Sequence, residues 1–78
     1  MQEFQIRLRS VRDVQDFVDM ATACPFTITL RDARNKVNGK SFMEMFCLDF
    51  SRPLRVVADC TEQEAQALRL DADRFLVK

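Results

Sequence analysis

The sequence predicts an open-faced α+β sandwich, with elements in the order βαββαβα and all three helices on one face of a four-stranded antiparallel sheet. Three observations carry that reading. Phe4–Arg9 and Phe26–Arg31 alternate apolar and polar residues, as half-buried strands do. Val11, Val14, Phe17, Val18 and Ala21 recur at three- and four-residue steps, the period of an amphipathic helix. Ser41 with Glu44, and Thr61 with Glu64, are two capping-box signatures, each opening a further helix.

In chain order, the first strand turns Phe4, Ile6 and Leu8 inward and Gln5, Arg7 and Arg9 outward. Ser10 supplies an N-cap for roughly three turns of helix, with Arg12, Asp13, Asp16 and Asp19 facing out. Pro25 prevents that helix from continuing. The second strand buries Phe26, Ile28 and Leu30, and Asp32-Ala33-Arg34-Asn35 has the polar ends of a tight hairpin turn. Lys36–Gly39 is then a short return strand anchored by Val37, an edge strand guarded by Lys36 and Lys40. From Ser41 the chain becomes unusually apolar: Phe42, Met43, Met45, Phe46, Cys47, Leu48 and Phe50 leave the second helix almost no polar face. Such a belt is either buried nearly all round or partly a docking surface. Arg52-Pro53 ends it, Leu54–Ala58 is the last strand, and Thr61 caps a final helix lined by Ala65, Leu68, Ala72, Phe75 and Leu76.

Seventy-eight residues are expected to form one domain, 1–78, with a small stability margin. Lys+Arg and Asp+Glu balance at 12 each, which argues against attachment to nucleic acid or membranes through bulk charge. No apolar run approaches a membrane span and no signal peptide is visible, so a cytoplasmic location is expected. Cys24, Cys47 and Cys60 form no Cys-x-x-Cys pair and are expected to be three buried, reduced thiols.

The chain has no histidine and no tyrosine, and one glycine. Histidine-based proton transfer, Ser-His and Cys-His nucleophiles, histidine metal sites and phosphate-cradling glycine loops are therefore excluded. Glu62 and Glu64, or Asp71 and Asp73, lie two apart on a helix and do not face each other. No metal, cofactor or independent enzymatic activity is expected.

Lys40-Ser41-Phe42-Met43 through Arg55-Val56-Val57-Ala58 resembles, without a gap, the histidine-containing phosphocarrier protein (HPr) of the bacterial phosphoenolpyruvate-dependent sugar phosphotransferase system. In that family a lysine-preceded regulatory serine opens a short apolar helix that runs into a strand. Arg12, Phe17, Val18, Ala21 and Ile28-Thr29-Leu30 extend the resemblance over nearly the whole chain from Phe4. It implies an HPr-like open-faced sandwich. It also places Ser10 at the family's carrier histidine, Arg12 at the phosphate-steadying arginine and Asp13 at the proline that follows. The loop ahead of Ser10 looks several residues shorter than the family's. A phosphoserine is a stable ester, not the reactive phosphoramidate needed for onward transfer, so loss of the relay is expected.

The resemblance further implies that Ser41 is the site of a dedicated regulatory kinase. It puts Met43 and Phe46 on the partner-facing side of the helix, with Phe42, Met45 and Leu48 in the core. The expected function is thus an HPr-like regulatory or protein-interaction module, with Ser41 as its switch. Its partners would be transcription regulators, metabolic enzymes or phosphotransferase-system components, and some members of the family's regulatory branch likewise keep the serine without the histidine. The alternative is a phosphocarrier component accepting phosphate on Ser10. A third reading, single-stranded nucleic acid on the sheet face where Arg7, Arg9, Arg31 and Arg55 gather, lacks the aromatics such platforms need, because Phe4 and Phe26 are in phase with the core. The Lys36–Gly39 edge and the apolar helix are both surfaces through which a homodimer could form.

Overall fold

Side-chain alternation sets the architecture: Ile6, Ile28, Leu30, Val37, Leu54, Val56 and Ala58 all point to one face of the sheet and are buried there. The structure, a computed structural model, describes residues 1–77. Its strands are β1 (Gln2–Ile6), β2 (Ile28–Arg31), β3 (Lys36–Asn38) and β4 (Leu54–Ala58), arranged β1-β4-β2-β3 with every neighbour antiparallel. The helices are α1 (Val11–Thr22), α2 (Phe42–Met45) and α3 (Glu62–Asp71), followed by one 3₁₀ turn over Asp73–Phe75. The fold is therefore the α+β sandwich expected, with β3 at an edge.

The core is continuous. Val14, Phe17, Val18 and Ala21 of α1, Met45 and Leu48 from the α2 region, and Leu68, Ala72 and Phe75 at the carboxyl end pack with the buried strand residues. Phe17 and Phe75 meet edge to face, with ring centroids 6.2 Å apart. Thr61 completes its box with Glu64 in both directions, through 3.1 and 3.0 Å hydrogen bonds.

Three expectations need correction besides the start of the second strand, which is Ile28 and not Phe26: its partner β4 ends at Ala58, opposite Ile28, and Phe26 is left half-buried at the margin of the core. The first strand runs over Gln2–Ile6, not Phe4–Arg9, because its partner β4 is only five residues long and ends at Leu54 beside Pro53, which has no N–H to give. Leu8 keeps the inward phase and is buried beyond the strand. On the far side of β1, the Arg7 N–H donates to Phe75 O and the Val77 N–H to Gln5 O, so residues 75–77 cover an edge that would otherwise be open.

The second correction concerns α2, which is a single turn of four residues rather than a helix reaching Phe50. Beyond Met45 the N–H groups of Phe46, Cys47 and Leu48 bond three residues back, a tighter winding. Asn35 Nδ2 then takes the Cys47 carbonyl and the Asp32 carboxylate takes the Asp49 N–H, so the backbone leaves the helix there. Its capping box is half made. Ser41 Oγ accepts from the Glu44 N–H at 3.4 Å, but the Glu44 carboxylate accepts from the Asn38 N–H instead of Ser41's.

The third is Cys47, which is exposed on that tight turn, while Cys24 and Cys60 are only half-buried. Burial raises the thiol pKa of both Cys24 and Cys60 above the ordinary value.

Gly39 is required by close approach rather than by a left-handed backbone. Its N–H donates to Ile28 O at 2.8 Å. A Cβ there would lie 2.9 Å from both Ile28 Cγ2 and Leu30 Cδ1, and 3.1 Å from Ile28 O. Both neighbours are fully buried and have nowhere to move. Gly39→Ala is expected to destabilise the fold by about 1–3 kcal/mol through overpacking, lowering the thermal midpoint by several degrees. An unchanged midpoint would contradict this packing.

Candidate functional site

The α2 turn sits between the β3 edge and α1, and the Lys40 ammonium ties it to the end of α1 by donating to Cys24 O at 2.8 Å. Because a one-turn helix lying on a sheet has only one inward side, Met45 takes it and is fully buried, with Leu48 following at 6 % exposure. Met43 is left 82 % exposed and Phe46 49 % exposed. Phe42, expected in the core, is only half-buried at its margin.

Phe46 is held edge-on between two other rings, 5.0 Å from Phe42 and 6.2 Å from Phe50. The i, i+4 spacing of Phe42, Phe46 and Phe50 carried this signal, but the apolar belt read as a helix face hid the contribution of Phe50. The result is an apolar surface whose aromatic centre is stiffened from both sides, with flexible Met43 beside it. Ser41 lies at the rim, half-buried, its hydroxyl engaged by the Glu44 N–H. Lys40, the residue before Ser41, is committed to the Cys24 carbonyl.

Ser10 and Arg12 lie at the start of α1. Ser10 Oγ accepts from the Asp13 N–H at 3.1 Å, so the hydroxyl is an N-cap. Asp13 returns its carboxylate to the Arg9 N–H at 3.0 Å and receives Arg74 at 2.9 Å. Chiefly that Arg9 hydrogen bond, aided by Arg74, holds the Asp13 carboxyl below its ordinary pKa. Arg12 pairs with Asp16 at 3.1 Å, and Arg74 also reaches Asp16 at 2.6 Å while stacking on the Phe75 ring. The cations here are thus drawn to Asp13 and Asp16, the Asp13 N–H is taken by the Ser10 hydroxyl, and the Arg9 N–H ahead of the helix is taken by the Asp13 carboxylate. The pattern is one of charge-satisfied capping. The two regions, Ser10 with Arg12 and Ser41 with Met43 and Phe46, occupy different elements and share no hydrogen bond or ion pair among the described residues.

The position of the α2 surface depends on Asp32, which sequence reading treated as turn chemistry alone. Oδ1 accepts from the Arg34 and Asn35 N–H groups, at 2.8 and 2.6 Å, and Oδ2 accepts from the Asp49 N–H at 2.9 Å. These amides, Asn35 first, hold the carboxyl down at about 2. The charged form is the one the fold favours. Its contribution is complete above the ordinary value of 3.8 and is lost as the pH falls through about 2. Asp49, held low by Ser51, titrates in the same direction. The urea midpoint is expected to fall on acidification across this window, and Asp32→Asn to flatten the fall. Superimposable pH profiles for the two proteins would show that the clamp is not part of the folded state.

No family model matches the chain, and no curated protein matches it. Its structure is similar to the crystal structure of HPr-C-His from Thermoanaerobacter tengcongensis, with a TM-score of 0.74 and 26% sequence identity over 91% of this chain and 89% of that one. The fold is HPr-like.

Proposed function

We propose that this protein is an HPr-like module that no longer relays phosphate and instead docks partner proteins through Met43 and Phe46, with Ser41 as a phosphorylation switch. The observation that carries the reading is the exposed, ring-supported surface at Met43 and Phe46, beside a serine, in a chain with no histidine. An exposed, ring-supported aromatic that a partner would bury, with an adaptable methionine at its side, is the kind of centre on which protein interfaces concentrate affinity. The similarity to a solved HPr structure supports phosphotransferase-system components as partners; transcription regulators and metabolic enzymes are the other partners proposed.

Phosphorylation would transfer the γ-phosphoryl group of ATP to Ser41 Oγ, releasing ADP and the hydroxyl proton. The product places nearly two negative charges at the rim of the apolar patch. That changes which partner surfaces the patch accepts without touching the core. Glu44 lies at the same turn and Lys40 is engaged by the Cys24 carbonyl, so neither offsets the added charge, which a cationic partner would meet. The rival reading, phosphate carried on Ser10, is disfavoured by the Asp13 carboxylate at that turn and by the stability of a serine ester.

The test is intact mass after incubation with ATP and a serine kinase that acts on HPr proteins. One added phosphoryl group is expected on the native chain and none on Ser41→Ala. Met43→Asp, which leaves the core untouched, is expected to be phosphorylated at least tenfold more slowly, since the kinase must seat on the same surface. Uptake that survives in Ser41→Ala would overturn the assignment of the switch. Equal rates for Met43→Asp would remove the patch from kinase docking.

A further inference from the structure

The outer face of the sheet carries a charge arrangement that neither the fold nor the docking surface explains. In register across the strands, Gln5 of β1 stands opposite Arg55 of β4, Arg55 opposite Arg31 of β2, and Arg31 opposite Lys36 of β3. All four side chains are exposed on the face away from the core. Three cations are thus direct cross-strand neighbours, with Cβ atoms about 4.5–5.5 Å apart, a placement that weakens a sheet. Glu3 offsets Arg55 at 3.5 Å, but Arg31 and Lys36 have no ion pair among the described residues.

Loops on either side add Arg34 and Arg52, which also make no ion pair among the described residues, so that Arg31, Arg34, Arg52 and Arg55 line one open concavity of about 990 Å³. Two carboxylates line it too, Asp32 and Asp49, both ionised and hydrogen-bonded to the loops, so the four arginines leave the groove a smaller but still positive excess. The chain is neutral overall, so this is a local excess placed against the interest of the sheet.

We infer that this arginine-lined groove binds a small molecule carrying two neighbouring phosphoryl groups, a pyrophosphate or a close bisphosphate. Guanidinium forks pair with phosphoryl oxygens bidentately, which suits arginine to this role. The concavity is of the size that small ligands occupy, and it is closed on two sides by the hairpin turn and the loop before β4. The cations repeat at the strand spacing of about 4.8 Å, whereas carboxylates on one side of an extended acidic peptide recur at about 6.6 Å. No aromatic side chain lines the groove, so nucleic-acid bases have nothing to stack on.

Calorimetric titration of the whole protein with inorganic pyrophosphate, in phosphate-free buffer at low ionic strength, tests the inference. Orthophosphate, an acidic peptide and a single-stranded oligonucleotide are run beside it. Pyrophosphate is expected to bind more tightly than the other three. Arg31→Gln is expected to weaken it at least tenfold while Arg9→Gln, outside the groove, leaves it unchanged. Without ligand, Arg31→Gln is expected to raise the thermal midpoint by relieving the row of like charge, a gain that a merely structural arginine would not give. Absence of pyrophosphate binding, preference for the peptide or the oligonucleotide, or equal affinity in Arg31→Gln would each overturn it.

Discussion

One carboxylate, that of Asp32, decides where the working surfaces of this protein stand. It closes the β2–β3 turn by accepting two of the turn's own amides, and with its second oxygen it catches the Asp49 N–H seventeen residues on. Asn35, in the same turn, adds a bond to the Cys47 carbonyl. The short hairpin is thereby fastened to the exit of α2. That fastening ends the helix after one turn, swings Cys47 out and lets Phe50 come back against Phe46. The same bonds form one wall of the arginine groove. A hydrogen-bonded charge is suited to this role because its geometry is directional and its loss leaves three amides without their acceptor.

The second constraint is that an open-faced sandwich has only one buried side. The sheet supplies seven buried apolar residues on its inward face, and α1, α3 and the 3₁₀ turn cover most of them. Little is left for α2 to cover. Met45 and Leu48 satisfy that demand, so the remaining apolar residues of the segment are in excess of what the fold needs. Apolar surface retained in excess of folding needs is an argument for contact with something else. The opposite face makes the complementary case in charge: it holds more aligned cation than a free-standing sheet favours.

Periodicity made the fold legible, since Phe4-Gln-Ile, Ile28-Thr-Leu and the Val11–Ala21 repeat each announce their element, and Leu54–Ala58 matches its strand residue for residue, although the alternation that begins at Phe26 runs two residues ahead of β2. Boundaries set by distant partners were not legible. The end of β1 depends on the length of β4, and the end of α2 depends on Asp32, neither of which lies within the segment concerned. The exposure of Met43 and Phe46 was expected from the resemblance, but the supporting rings and the outward Cys47 follow from the short helix. The arginines were visible as an outward row. Their direct opposition needed the register, which single strands do not encode.

The chain has an HPr-like fold, and the central proposal is that it does not relay phosphate. The most direct measurement is intact mass after incubation with phosphoenolpyruvate and the first enzyme of the phosphotransferase system. The account predicts no added phosphoryl group, because the Ser10 hydroxyl is a helix cap beside a carboxylate and no histidine exists to replace it. A phosphoryl group acquired from phosphoenolpyruvate and passed on to a downstream acceptor would contradict it.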